Sequence, residues 1–519
     1  MRRSRKSVAV AVTVLAVAAG TAALAGTTPA QAATACTTTG TGGDWASYGH
    51  DLANTRRQPA ESGIGVSNVA QLKKRWVFIP PDGGSSPFNA TPTEAGGCVF
   101  VGTGAGWIYA LDENTGAIQW RQHLPVTTPN IGGDIVGAIT ISGGKAFVLM
   151  NETADGNGSG PYAAALDMHT GAVIWTSAPL ETHAGSYTNA SPVVYNGLVL
   201  AGWSPAEADS TGEGGLDLLN ANTGVLVKKI YTIPPARQAL GYAGGGIWDS
   251  PAVDGAGYAY TGTSNPYSKT IEDPNTNAII KIDLNPARST FGQIVGVYKG
   301  NIDQYTSLLE ALAQSPFCAE TTAVFEKMFF DDPACGQLDL DFGASPNLFS
   351  VLGVQYVGGL QKAGVYHAVR TSNMTKKWTR IVGTPCVVCN ASATATGYGN
   401  IFGEGTLGGF AFKLSEATGS LGAFTPVADA IHYQSFSTAN GVVYTVDSVG
   451  FLDVFNASNG LLIARRPLLA DSGQIVVPLS STGVAIARHH VFVEVGSFDA
   501  GSSVPVPVPQ TGYVVAYSS

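Results

Sequence analysis

Two cysteines in the run CVVCN at 386–390 have the Cys-x-x-Cys spacing of a haem attachment site. Asn390 stands where the haem-ligating histidine is required, so no haem is expected there. A short-loop disulfide or a redox dithiol fits the pair instead. The chain has six cysteines, and pairing by proximity joins Cys36 with Cys98, Cys318 with Cys335 and Cys386 with Cys389. His489-His490 has no companion at metal-ligand spacing, and Asp331-Asp332 has the look of a solvated loop. Trp248 is different from the other tryptophans: it follows three glycines that leave room for a flat ligand. Lys362 puts a positive charge where an apolar strand would otherwise continue, either to meet a ligand or to guard a sheet edge. Taken singly, Glu207 reads as a solvated loop residue, Asn265 before Pro266 as a turn residue, and Asp341 near Gly343 as a strand-end cap.

These residues must be held by a repeated scaffold. YALDENTGAIQW (109–120), AALDMHTGAVIW (164–175) and LDLLNANTGVLVKK (216–229) are copies of one segment, with FKLSEATGSLGAF (412–424) and LDVFNASNGLLIARR (452–466) further on. Each is an alternating apolar strand, an Asp or Asn that opens a turn, a glycine able to take positive φ, and a second strand: a β-hairpin. Weaker copies lie at 279–299, which has lost the Thr-Gly, and at 365–378. Runs such as ASPVVYNGLVLAGW (190–203) and DSPAVDGAGYAYTGT (249–263) precede most copies and supply another hairpin. Units of about 40 to 55 residues, each a four-stranded antiparallel sheet, must stack to bury their faces, which predicts an all-β propeller. Seven hairpins are visible, and TGYVVAYSS (511–519) is half of an eighth whose partner is RWVFIP (75–80). Eight blades closed by the two ends is the expectation, with seven as the alternative. The stretch 284–340 is expected as an insertion.

Charged residues make up only 13% of the chain against 65 glycines and 28 prolines, which points to turn-rich sheet and away from helical bundles or disorder. A net charge of −9 with few basic clusters argues against nucleic acid or an anionic membrane as partner. The basic MRRSRKS, the apolar run after it and Ala30-Gln31-Ala32 describe a secretory signal peptide over residues 1–32, with a retained anchor as the alternative, so the protein is expected outside the cytoplasm, secreted or periplasmic, as one propeller over 33–519.

The ALDxxTGxxxW repeat resembles that of the quinoprotein alcohol dehydrogenases. DWASYGHDLANTRRQP (44–59), LAGWSPAE (200–207), GGGIWDSP (244–251), YTGTSNPYS (260–268), LDLDFGASP (338–346) and GLQKAGVYHAV (359–369) are similar, in this order, to segments of the polyvinyl-alcohol-dehydrogenase branch. The resemblance implies pyrroloquinoline quinone stacked on Trp248 and touched by Lys362. It also implies Ca²⁺ held by Glu207, Asn265 and Asp341, with Asp341 as the catalytic base. Oxygen donors of this kind suit a hard cation. An alcohol, small or polymeric, is the implied substrate, and an external acceptor, a cytochrome or a soluble carrier, takes the electrons. Two departures stand out: the chain has no adjacent cysteine pair, and TSNP replaces the commoner TGNP. The rival expectation is a propeller without cofactor that serves as a binding or assembly platform.

Overall fold

A computed structural model of the chain describes residues 35–519 apart from 82–87, 130–132, 208, 268–271, 301–340, 385–389, 428–431, 476–481 and 497–510. The described residues form eight four-stranded antiparallel sheets, one per repeat, and Arg57–Gln58 adds a short parallel strand to the seventh. In chain order they are blade 1 (93–123), blade 2 (140–176), blade 3 (193–231), blade 4 (252–299), blade 5 (347–381), blade 6 (395–422), blade 7 (437–467) and blade 8. The first strand of each blade lies innermost, where neighbouring first strands contact one another around the ring. Blade 8 joins Val484–Ala487, His490–Val495 and Tyr513–Ser518 to Lys73–Phe78, so the two ends of the chain close the ring as expected. No described helix is long and apolar enough to cross a membrane.

The repeat motif explains how blades lock together. Asp112 accepts the backbone N–H of Asn114 and Thr115 and the Thr115 hydroxyl, and Asp167 does the same in blade 2. The turn then reaches a glycine at φ near +70°, Gly116 or Gly171, a conformation that costs glycine little. A Cβ there would strike the indole of the preceding blade: Trp120 lies 2.5 Å from that position at Gly171, and Trp76 2.7 Å from it at Gly116. Each indole also donates across the blade boundary, Trp76 to Glu113 O at 2.9 Å and Trp120 to Met168 O at 2.9 Å. Trp175 and Trp378 repeat the arrangement on Gly224 and Gly419.

Blade 4 corrects one expected boundary. Its third strand, Ala278–Asp283, pairs with an outer strand Ile294–Lys299, so the described start of the expected insertion is turn and strand of an intact blade. Without the Thr-Gly, Asp283 still caps the turn by accepting Asn285 N–H, and it binds Arg288 Nη1 at 2.9 Å. The remaining 301–340, with Asp331-Asp332, Cys318 and Cys335, lies outside the described residues, as do Cys386 and Cys389. Cys36 and Cys98 form a disulfide.

The central channel is filled by the chain's own opening segment. Glu94 and Trp45 exchange backbone hydrogen bonds at 2.9 Å in blade 1, and Ile141 N–H of blade 2 donates to Ala46 O at 2.8 Å. Val253 of blade 4 donates to Leu52 O, Leu348 of blade 5 to Ala53 O, Thr396 of blade 6 to Thr55 O and Thr438 of blade 7 to Arg56 O. Gln58 Nε2 reaches Ile486 O of blade 8 at 3.2 Å. The inward edges of these strands thus find partners that an empty channel would leave to water. Facing blade 3 there is instead a cavity of about 150 Å³ between residues 46–54 and 192–194. Arg56 is fully buried at the centre of this segment and donates to Phe436 O, Tyr48 O, Thr91 Oγ1 and Ser437 Oγ.

Candidate active site

Antiparallel order within each blade decides which loops share a face. Connections into the first strand and between the second and third emerge on one side, and the Asp-x-x-Thr-Gly turns on the other. Trp248 and Asp341 lie in the connections into blades 4 and 5, and Glu207, Asn265 and Lys362 lie between second and third strands of blades 3, 4 and 5. All five therefore belong to the same face.

Three of them touch. Lys362 Nζ lies 3.1 Å from Asp341 Oδ1, and Trp248 Nε1 donates to Asp341 Oδ2 at 3.3 Å. Lys362 Nζ also sits 5.2 Å from the centroid of the Trp248 ring. Asp341 and Lys362 are 2% and 8% exposed, whereas Trp248 is half-buried, so a more accessible indole lies beside a buried ion pair. Lys362 is not in a strand: it occupies the turn after Val354–Gln361, where its N–H donates to Asp341 O at 2.8 Å and Gly364 N–H closes the turn on Gln361 O. Side chain and backbone of one residue thus hold the other.

The glycines have steric reasons. A Cβ on Gly343 would lie 2.2 Å from the Trp248 indole, so Asp341 and Trp248 can approach only because Gly343 has no side chain. Gly244–Gly246 run against 264–266: Gly245 N–H donates to Asn265 O at 2.9 Å and Gly246 N–H to Ser264 Oγ at 2.6 Å. Asn265 is 3% exposed and is tied by its backbone to the glycines that lead to Trp248. Glu207, by contrast, is exposed. Among the described residues, no group of three or more His, Cys, Asp or Glu side chains is arranged to hold a metal.

Sequence reasoning missed several neighbours. Asp249, next to Trp248, is fully buried, and burial, with a smaller contribution from the Asp341 charge, pushes its carboxyl up to about 8. It accepts Gly262 N–H at 2.8 Å and the Thr261 hydroxyl, anchoring the end of the blade 4 strand that leads to Asn265. Glu213, in the same connection as Glu207, is half-buried, and burial, then Asp273, raises it to about 8. His367 stands in a motif already singled out, yet its contacts to residues distant in sequence were not legible there.

A family profile described as outer membrane protein assembly factor BamB matches residues 59–264. The chain is 28% identical over 264 residues to a polyvinylalcohol dehydrogenase of Pseudomonas sp, covering 47% of this chain and 39% of that protein. A protein of the same name from Sphingopyxis sp. (strain 113P3) is 29% identical over 270 residues, covering 47% and 38%. The match therefore spans about two fifths of the length of these curated relatives. The solved quinohemoprotein alcohol dehydrogenase from Comamonas testosteroni superposes with a TM-score of 0.68 at 16% identity, over 92% of this chain and 80% of that one, a likeness of fold. The resemblance to quinoprotein alcohol dehydrogenases read from the repeat and its companion segments holds in these comparisons.

Proposed function

We propose that the chain is an exported quinone-dependent alcohol dehydrogenase acting on a small or polymeric alcohol. The observation that carries this reading is the contact of Trp248, Asp341 and Lys362 at one channel mouth. A half-buried indole beside a buried cation suits a flat, multiply oxygenated anion, and Gly343 keeps that indole in place. Two carboxylates and an amide, from Glu207, Asp341 and Asn265, have the donor chemistry for Ca²⁺. When bound, pyrroloquinoline quinone would supply the two-electron acceptor for hydride from the carbinol carbon, and Ca²⁺ would polarise its carbonyl.

The chain's own residues do the rest. Asp341 accepts the alcohol's hydroxyl proton, while Trp248 Nε1 and Lys362 Nζ, one on each carboxylate oxygen, fix its orientation. Lys362 also offsets the carboxylate's charge in a site shielded from water. With no histidine after CVVC to complete a haem site, the electrons leave to an external acceptor, a cytochrome or a soluble carrier. The signal-like N-terminus supports a secreted or periplasmic location.

The test is reconstitution with pyrroloquinoline quinone and excess Ca²⁺, followed by absorbance and alcohol-dependent dye reduction. Wild type should bind the quinone and turn over. Asp341→Asn should keep the fold and the quinone but lose about 10²- to 10⁴-fold in kcat, the usual contribution of a general base. A second reading, a non-enzymatic platform, is favoured by the missing cysteine pair and by the assembly-factor profile. Wild type that binds no quinone would move the assignment there.

A further inference from the structure

Behind the Asp341–Lys362 pair lies an imidazole that touches the neighbour of each. His367, in the strand Val365–Arg370, is fully buried. Its ring packs edge-on against Phe342, the residue after Asp341, with centroids 5.2 Å apart. Its Nε2 lies 2.9 Å from Oε1 of Gln361, the residue before Lys362. An amide oxygen only accepts, so Nε2 carries the proton, and Nδ1 in turn accepts the Tyr298 hydroxyl at 3.0 Å. Burial pushes the imidazole down to about 3, so it stays neutral. Blade 4 closes the cluster from the other side. A Cβ on Gly300 would lie 2.7 Å from Gln361 Nε2 and 2.8 Å from Phe342 Cε2.

We propose that His367 is a positioning residue: by packing on Phe342 and donating to Gln361, it sets where Lys362 stands relative to Asp341. Asp341 lies outside blade 5's strands and Lys362 in a turn, so neither is located by a strand ladder of its own. The imidazole spans the gap, and Tyr298 from blade 4 fixes its tautomer. The functional weight of this placement rests on the reading of Asp341 as base and Lys362 as cofactor contact. The placement itself does not.

The experiment compares His367→Gln with His367→Asn in the full chain. A glutamine amide reaches to where Nε2 sits and can still donate to Gln361, whereas an asparagine amide reaches only to Nδ1. The readout is the rate at which acetic anhydride labels Lys362, followed by peptide mass spectrometry against exposed Lys73 as internal standard. His367→Gln should label within about twofold of wild type and His367→Asn about tenfold faster, the scale of one lost hydrogen bond. Should His367→Asn not fold, Gln361→Met removes the acceptor from the other side and carries the same expectation. In protein that turns over alcohol, His367→Asn should lower kcat about tenfold and leave KM within about twofold, with His367→Gln restoring kcat. Equal labelling of Lys362 in wild type and His367→Asn, or an equal rise in both variants with a common loss of melting temperature, overturns the proposal. Wild type without quinone binding or turnover would sink the dehydrogenase reading alone, because labelling still decides the role of His367.

Discussion

Asp341 gains its surroundings from residues that each have a second task. Trp248 donates to it and presents an aromatic face, Lys362 pairs with it and sits by the same face, and Gly343 keeps the two within reach. The indole's position therefore tests the site independently of the base. Gly343→Ala would force Trp248 aside while leaving Asp341 and Lys362 unchanged in type. Overpacking of this kind costs about 1–3 kcal/mol, so quinone affinity should fall about tenfold or more. Fluorescence titration of the reconstituted protein measures it, and an unchanged affinity would remove Trp248 from the site.

Among the elements, the channel segment has the largest structural consequence. Arg56 holds it by four hydrogen bonds and stacks on Trp45 and Tyr48, 5.8 and 5.0 Å from the ring centroids. Arg56→Ala would strand buried carbonyl and hydroxyl oxygens, a loss of about 3 kcal/mol or more. Hydrogen exchange should then quicken together at Ile141, Val253, Leu348, Thr396 and Thr438, whose N–H groups donate to this segment or to its flank. Exchange confined to blade 7 would show that the segment does not act as one unit. Its entry is clamped by Arg488 and His489, which take positive φ of 49° and 63° in a turn where the other blades place a glycine just before the second strand. Arg488 Nη1 donates to Thr38 O at 2.9 Å and His489 Nδ1 pairs with Glu61 Oε1 at 2.8 Å, and these contacts compensate the strain. The Cys36–Cys98 bridge, closing a separation of 62 residues, adds about 4 kcal/mol on the chain-entropy account. Cys36→Ser with Cys98→Ser should lower the melting temperature accordingly and leave the site's spectrum intact.

For the whole molecule, closure by both ends and filling by the opening segment leave seven of eight inner strands bonded to the channel segment, so on the proposed function an alcohol and its product would exchange through the face that carries Trp248. Several carboxyls are also buried in the interior. Burial raises Glu94 to about 9, Asp249 to about 8 and Asp453 to about 7. A carboxyl whose folded pKa exceeds its unfolded value binds more protons when folded, so stability falls as pH rises from the unfolded value toward the folded one. Asp283 and Asp51 are lowered instead, which works in the opposite sense and only on the acid side of their ordinary range. Melting temperature should therefore peak near pH 5 and decline toward pH 8, and Asp249→Asn should make that decline shallower. A flat profile over this range would show that these groups are better solvated than their burial indicates.

The strand-turn-strand repeat, the blade count and the closing partner of the last strand were legible in the sequence, because hairpins are local and a period of two or a Thr-Gly turn repeats within a dozen residues. Blade 4 was harder to bound, since Asp283 and Arg288 replaced the turn signal that marked the others. The individual site residues entered through resemblance, as each alone is an ordinary turn or loop residue. What only the tertiary structure decided is which of them meet. Trp248, Asp341 and Lys362 come together while Glu207 stays exposed, and Asp249 and His367 lie beside them. The Trp248–Asp341 contact alone joins residues 93 positions apart, and such contacts depend on glycine clearances and blade stacking that no local pattern encodes.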